Sequence, residues 1–260
     1  MMPGLPLGWA TDVAVLEHTG STVDDHGDHL VVRTRKNPTF HWGNCIFVTD
    51  PDTVDDAARW IRVFQDAVPQ SDWVAIGLVR MPADADGWTR HDVELELDDV
   101  LATSVLPTQT TTPSGYDVRA LVGDDWGQLV TRELAANDDG YDPRTHERFV
   151  RARAQSQREL TESGLAMFAG AFFGGRLVAE LGIVRCGTTA RYQSVGTAPE
   201  HRSRGIASHL LGVAAAWAKD LGCERWVIVT EASNPAGRVY RKAGFVPVAP
   251  SVQAYRPPSR

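Results

Sequence analysis

Apolar residues recur along this chain with a spacing that is clearest in the stretch after Gly205. They recur at positions i, i+4, i+7, i+8, i+11 and i+15, which are Ile206, Leu210, Val213, Ala214, Trp217 and Leu221. This spacing places the apolar side chains on one face of an α-helix, which buries that face against a core. The sequence therefore predicts an amphipathic helix over residues 205–222.

Around that helix, the second half of the chain alternates between the period of a strand and the period of a helix. The predicted strands cover residues 116–122, 165–173, 176–186, 190–198, 225–230 and 245–248. Three other helices are predicted. The first begins at Asp124-Asp125, and the other two cover residues 144–162 and 234–243. Short glycine-containing turns join the three central strands, so we expect an antiparallel meander within a mixed α/β fold.

The first half of the chain has fewer helical patterns. Strands are predicted near residues 12–17, 29–35, 40–48 and 73–79, with a helix over residues 54–68. A strand-helix-strand unit thus occurs twice in the chain, which suggests an internal duplication.

A domain boundary is predicted where the pattern of apolar positions stops. Residues 106–115 are small, polar, proline or glycine, which is typical of a linker. We therefore divide the chain into domains 1–112 and 113–260. The first has 18 acidic against 7 basic residues, and the second has 15 against 19. An anionic ligand would favour the second domain.

Composition excludes several classes of protein. No apolar run reaches the ~18 residues of a membrane span, and the N-terminus lacks the features of a secretory signal. The three cysteines form no CxxC pair, so neither a disulfide framework nor a zinc ribbon is predicted. With a net charge of −7, we expect a cytoplasmic protein without membrane or nucleic-acid partners. Asp24, Asp25, His26, Asp28 and His29 are interpreted as a polar hairpin tip, and no metal site is predicted.

The segment before the amphipathic helix has the composition of a phosphate-binding turn. It reads Arg202-Ser203-Arg204-Gly205-Ile206-Ala207. Backbone N–H groups at a helix start, with the helix dipole behind them, attract a pyrophosphate. The glycine permits a close approach of the backbone and the arginines add positive charge. The alternative is an ordinary turn with solvated arginines.

This turn resembles the acyl-CoA-binding signature R/Q-x-x-G-x-G/A of the GCN5-related N-acetyltransferases (GNATs). A second segment, from Asn234 through Tyr240 to Gly244-Phe245, is similar to the asparagine, tyrosine and Gly-Phe element of that family. The Asn-to-Tyr spacing is one residue shorter than is usual in that family. The resemblance covers about residues 116–250 and implies a GNAT acyl-CoA-binding fold, preceded by a smaller, degenerate GNAT-like half.

The resemblance also implies roles for individual residues. The strand end at Val195, Gly196 and Thr197 would pair with the pantetheine arm of acetyl-CoA, to which Asn234 would also bond. The pyrophosphate would be held by Arg202, Ser203, Arg204, Gly205, Ile206, Ala207 and Ser208. Tyr240 would protonate the leaving thiolate; the alternative is a tyrosine of the core.

Attack by an amine on a thioester also needs a group that removes a proton. The carboxylates of Glu231 and Glu180 are the candidates, with Glu231 ranked first. The alternative is that Glu231 is a surface carboxylate and that Glu180 points to solvent. The fourth strand of this half, where several relatives carry an acidic base, has no acidic residue at positions 191–194.

The equivalent turn of the first half has the opposite charge. Asp50, Asp52, Asp55 and Asp56 stand before its helix, where the second half has Arg202 and Arg204. Carboxylates there would repel a pyrophosphate, and the glycine-rich turn is missing. We expect this half to bind no acyl-CoA.

Together these features predict an N-acetyltransferase that moves an acetyl or short acyl group from acetyl-CoA to a primary amine of a small molecule or peptide. The acidic first half favours a cationic amine through long-range attraction, and a homodimer is compatible with the sequence. The alternative is a non-catalytic acyl-CoA sensor, which the missing acidic residue of the fourth strand suggests.

Overall fold

The structure is a computed structural model that describes residues 4–136 and 142–258. The helices are α1 (Leu7–His18), α2 (Ala57–Ala67), α3 (Ala85–Thr89), α4 (Asp125–Ala135), α5 (Pro143–Glu162), α6 (Ile206–Asp220) and α7 (Gly237–Lys242). The strands are β1 (Thr22–Asp25), β2 (His29–Arg33), β3 (Asn44–Val48), β4 (Val74–Leu78), β5 (Glu94–Thr103), β6 (Asp117–Ala120), β7 (Ala166–Phe173), β8 (Arg176–Cys186), β9 (Thr189–Thr197), β10 (Arg225–Glu231), β11 (Val246–Pro247) and β12 (Ser251–Arg256).

The chain forms two compact units. The first contains the described residues of Met1–Val100, Val229–Asn234 and Pro247–Arg260. The second contains those of Leu101–Ile228 and Pro235–Val246. Each unit has its own hydrophobic core.

In the first unit the strand order is β1-β2-β3-β4-β12-β5. β3 and β4 are parallel, and α2 connects them. The helix buries Ala57, Trp60, Ile61 and Phe64, whose spacing places them on one face. The predicted strand-helix-strand unit of the first half is thus present.

The predicted strand at residues 12–17 is wrong, because this segment belongs to helix α1. Trp9, Val13 and Leu16 are buried and Gly8 packs so closely that a Cβ would collide with Ser251. A helix that is apolar on most sides lacks the polar stripe by which a helical period is recognised. Strands β1, β5 and β12 and helix α3 were also not predicted.

In the second unit the order is β10-β9-β8-β7-β6. Only β9 and β10 are parallel, so the predicted meander of β7, β8 and β9 is confirmed. On β8, Ala179, Leu181 and Ile183 share a core with α6, whereas α4 contacts β8 and Trp126 of α4 packs on Phe168 of β7. Because side chains alternate along a strand, Glu180 lies on the face opposite to α6.

Two predicted elements near the end of the second half are shorter than expected. The helix predicted from residue 234 begins at Gly237, because Pro235 disfavours helical geometry at Asn234. The strand predicted over residues 245–248 is limited to Val246–Pro247, and proline lacks the N–H that would continue a strand.

The predicted linker has neither helix nor strand from residue 106 to residue 113, but it is not free. Its backbone crosses α6 at Gly212, where a Cβ would collide with the backbone of Gln109. The buried His209 of α6 fixes the same segment, since its Nδ1 lies 2.6 Å from the Thr110 carbonyl oxygen and its Nε2 lies 3.2 Å from the Thr112 hydroxyl.

Candidate functional site

The candidate site begins where strands β9 and β10 separate. They pair between Thr189–Arg191 and Arg225–Val227, and the described residues show no pairing between them beyond those positions. The end of β9 at residues 195–197 is half-buried and therefore has backbone groups that the described residues of β10 do not pair. An extended polar ligand can pair with such groups as an added strand would.

The turn after β9 has an unusual backbone conformation. Ser203 and Gly205 both have a positive φ, of 61° and 78°. Serine rarely adopts this conformation, whereas glycine does so without strain. The arginines of the turn bond to backbone nearby: Arg202 Nε donates to the Thr197 carbonyl at 3.1 Å, and Arg204 Nη2 donates to the Glu200 carbonyl at 3.2 Å. The two arginines thus stabilise the turn on which they lie.

Helix α6 begins at this turn without a side-chain cap. Gly205 is its N-cap residue, and within the described ranges no side-chain cap bond is formed at this helix start. A helix start leaves up to four N–H groups without an intrahelical acceptor and carries a partial positive charge. An exposed, uncapped start of this kind is suited to an anion.

The equivalent helix of the first unit has the opposite arrangement. Asp56 caps α2 by accepting from the Arg59 N–H at 3.0 Å. Asp55 accepts from the N–H groups of Ala83 and Asp84 and from Arg80 Nη2 at 2.9 Å. These interactions hold the pKa of Asp55 below its ordinary value, the Asp84 backbone contributing most. Negative charge already occupies this helix start, which disfavours a phosphate.

Tyr240 lies in α7 and is 4% exposed. Burial raises the pKa of Tyr240 to about 12. The phenol therefore keeps its proton throughout the neutral range and can act as a proton donor. No hydrogen bond joins its hydroxyl to any part of the chain that the structure describes.

The other two residues predicted near the chemistry lie in the first unit. Glu231 is the last residue of β10 and is exposed. Asn234 follows in a turn, where its backbone N–H donates to the Glu231 carbonyl at 3.0 Å. An exposed carboxylate can exchange protons with solvent.

Glu180 does not point to solvent. Its side chain is 5% exposed and forms an ion pair with Arg132 of α4. Burial raises the pKa of Glu180, whereas Arg132 acts in the opposite direction. Its strand neighbour Gly196 has no room for a Cβ, which would collide with the Glu180 carboxylate and with Arg132.

Several residues around this pair were not identified from sequence. Arg132 lies among the apolar positions of α4, and Gln157 is a neutral residue of the polar helix α5, so neither was a candidate in the sequence. Ser194 gives no signal in the sequence, since its φ of 48° follows from the irregular pairing of β9. Only the fold brings these residues to one face of the sheet.

Residues of the segment interpreted as a polar hairpin tip form contacts within the first unit. Asp28 bonds to His29 Nδ1 and forms an ion pair with Arg59 of α2. In the described ranges no three His, Cys, Asp or Glu side chains are grouped so that they could hold a metal ion. None of the described helices is both long and apolar enough to cross a membrane.

Known proteins are similar to this chain in sequence over part of its second half and in fold over most of its length. Residues 130–245 match the model of the acetyltransferase (GNAT) family, whereas no curated protein matches the sequence significantly. A GCN5-related N-acetyltransferase from Kribbella flavida has a similar structure (14% identity, TM-score 0.64, covering 97% of this chain and 96% of that one).

Two further solved structures are similar over most of their length. One is a GCN5-related N-acetyltransferase from Sphaerobacter thermophilus (19% identity, TM-score 0.55, 90% of this chain and 82% of that one). The other is a tandem GNAT protein from the clavulanic acid biosynthesis pathway (13% identity, TM-score 0.58, 92% of this chain and 85% of that one). At these identities the likeness concerns the fold. Residues 130–245 therefore form a domain of the acetyltransferase (GNAT) family, within a chain whose mixed α/β fold is that of GNAT proteins.

Proposed function

We propose that this protein is an N-acetyltransferase that moves an acetyl or short acyl group from acyl-CoA to a primary amine of a small molecule or peptide. The observation that carries the proposal is the uncapped start of α6 behind the left-handed turn at Ser203 and Gly205. The first unit supplies an internal comparison, because the start of α2 is capped by Asp56. One acyl-CoA per chain is the expected stoichiometry.

In this proposal the residues of the second unit hold acyl-CoA at two places. The backbone N–H groups from Arg202 to Ala207, with Ser208, bind the pyrophosphate. The strand end at Val195, Gly196 and Thr197 pairs with the pantetheine amides. The Thr197 carbonyl already accepts from Arg202, so at that residue the N–H is the group available to the ligand.

The reaction is a direct transfer. The neutral amine nitrogen attacks the thioester carbonyl carbon, a C–N bond forms and the C–S bond breaks. The leaving thiolate takes a proton from Tyr240, and the nitrogen loses one proton to a base. Glu231 is the first candidate for that base because it is exposed to solvent. Glu180 is the second, and it requires a path to the amine from a buried position.

The acidic balance of residues 1–112 supports a cationic acceptor, such as a polyamine, an aminoglycoside or a peptide N-terminus. Steering by charge is weakened by salt. In a panel of amines, kcat/KM for cations is therefore expected to fall as ionic strength rises. Neutral or acidic amines that react faster, without dependence on salt, would contradict this assignment.

The first experiment is isothermal titration with acetyl-CoA. The variant Gly205→Glu puts a carboxylate into the turn and is expected to abolish binding. Gly187→Glu is the matched control, since Gly187 is also exposed and also has a positive φ, of 68°, with no atom near a Cβ. The proposal is supported if the wild type and Gly187→Glu each bind one acetyl-CoA and Gly205→Glu binds none. No binding by the folded wild-type protein to acetyl-CoA or longer acyl-CoAs would refute it.

A non-catalytic acyl-CoA sensor is the second candidate. It is favoured by the ion pair that engages Glu180 and by the lack of an acidic residue at positions 191–194. Release of free thiol from acetyl-CoA across a broad panel of amines separates the two functions. Tight binding without turnover for any amine would favour the sensor.

A further inference from the structure

Strand β9 contains a bulge immediately before the backbone that the proposed function assigns to acyl-CoA. Gln193 is paired with Gly182 of β8, and Gly196 is paired with Glu180. Two residues of β9, Ser194 and Val195, therefore stand opposite a single residue of β8. A bulge of this kind bends the strand and redirects its backbone groups.

One side of the bulge is held by helix α5. Gln157 is 7% exposed, and its Nε2 donates to the Ser194 hydroxyl at 3.0 Å. Ser194 has a left-handed backbone, with a φ of 48°. Such a conformation costs free energy for a non-glycine residue, and it persists where the surroundings fix it.

The other side of the bulge is held by helix α4. Arg132 forms its ion pair with Glu180, and Glu180 faces Gly196 on the neighbouring strand. Because a Cβ at residue 196 would collide with both partners, the pair lies directly against the β9 backbone. A second pair, Arg153 Nη2 with Glu133 at 2.7 Å, joins α5 to α4 beside it.

We propose that Gln157, Arg132 and Glu180 are positioning residues, which hold the β9 bulge and so orient the backbone at residues 195–197 for acyl-CoA. This inference rests on the proposed function for its effect on the ligand. It assigns to Glu180 a role through the strand, distinct from proton transfer to or from the acceptor amine.

The physical reason is that both contacts are polar and buried. Removing one partner of a buried ion pair leaves the other charge without compensation. Gln157 likewise loses the hydrogen bond that its Nε2 donates to the Ser194 hydroxyl if the amide is removed. In either case the strand can relax away from the left-handed conformation at Ser194.

The test compares variants of the contacts with a control variant. Glu180→Gln and Gln157→Met weaken the two contacts, and Asp125→Asn is the control. Asp125 is also buried and paired with an arginine, Arg119, but it lies at the start of α4. The affinity for acetyl-CoA is measured by titration of the folded protein, and amide hydrogen exchange is measured at residues 194–197.

Glu180→Gln and Gln157→Met are expected to raise the Kd for acetyl-CoA by about tenfold and to speed exchange at residues 194–197. Asp125→Asn is expected to lower the melting temperature with neither effect. Arg132→Lys, which keeps the charge, is expected to retain more affinity than Arg132→Met. The double variant Arg132→Met/Glu180→Met, which leaves no unpaired charge, keeps the inference testable if a single variant does not fold.

Unchanged affinity and unchanged exchange in folded Glu180→Gln and Gln157→Met would overturn the inference. If exchange at residues 194–197 rises while even the wild-type protein binds no acetyl-CoA, the positioning of β9 stands and the proposed function fails. If exchange rises and the wild-type affinity is retained, the link between the bulge and the ligand is refuted.

Discussion

The Tyr116 hydroxyl and His201 Nδ1 are hydrogen-bonded at 2.8 Å, although 85 positions separate the two residues in the chain. Phe173 packs on both rings, with centroid distances of 5.4 Å and 5.3 Å. His201 ends the 3₁₀ turn Pro199–His201, directly before the left-handed turn. The contact therefore ties that turn to the start of β6.

Tyr116→Phe removes this hydrogen bond and keeps the ring. We expect a loss of about 1 kcal/mol in the free energy of unfolding and a weaker affinity for acetyl-CoA, because the turn is less well fixed. Tyr192→Phe is the control, since it removes a buried hydrogen bond from the same unit, to the Leu211 carbonyl at 2.9 Å. A Kd that changes equally in both variants would contradict the anchoring role.

Tyr240→Phe tests the proposed proton donor. The ring stays in the core, so we expect the Kd for acetyl-CoA to be retained and kcat to fall by about 10²-fold or more. Because the pKa of Tyr240 is about 12, its ionisation is not expected to reduce kcat of the wild-type enzyme below pH 10. An unchanged kcat in the variant would assign the residue to packing alone.

Asp56→Ala tests the capped helix of the first unit. Removal of an N-cap side chain is expected to lower the free energy of unfolding by about 1 kcal/mol, as measured by denaturant unfolding. Asp66→Ala, at an exposed position of the same helix, is expected to change it by less than about 0.5 kcal/mol. The stoichiometry of acetyl-CoA binding should stay at one in Asp56→Ala, and a second bound molecule would show that the cap alone had excluded it.

Asp125 gives a prediction about pH. The hydrogen bond from Arg119 holds the pKa of Asp125 below its ordinary value. Its carboxylate therefore contributes stability above about pH 4, the pKa of an unfolded aspartate, and that contribution is lost as pH falls through the lower folded pKa. Asp125→Asn is expected to unfold at a lower temperature at pH 7 and to lose less stability than the wild type on acidification. Parallel curves of melting temperature against pH would contradict the assignment.

Gly212 and Gly127 form a matched pair of helical glycines in the second unit. Gly212→Ala is expected to destabilise the protein by roughly 1–3 kcal/mol, because the methyl group meets the Gln109 backbone. At Gly127 no atom lies near a Cβ, so Gly127→Ala is expected to stabilise the protein by about 0.5–1 kcal/mol through helix propensity. Equal effects in thermal unfolding would mean that residues 108–110 do not pack on α6.

Most elements of the second unit could be predicted from the sequence because the patterns that indicate them are local. The apolar face of α6, the glycine turns of the meander and the turn from Arg202 to Ala207 each involve residues close together in the chain. Periodicity and turn chemistry depend on such near neighbours, so these elements were predicted to within a few residues. The helix α1 and strands β5 and β12 were missed because their patterns depend on burial by distant segments.

The sequence by itself thus determined the mixed α/β fold, the glycine-containing turn that is predicted to bind a phosphate, and the contrast between an arginine-rich and an aspartate-rich helix start. Only the tertiary structure decided that Glu180 is buried against Arg132, that β9 bulges at Ser194 and that His209 holds the segment predicted to be a linker. Burial, the partner of a charge and a strand register are set by residues far apart in the chain. A single sequence carries no local signal for such pairings.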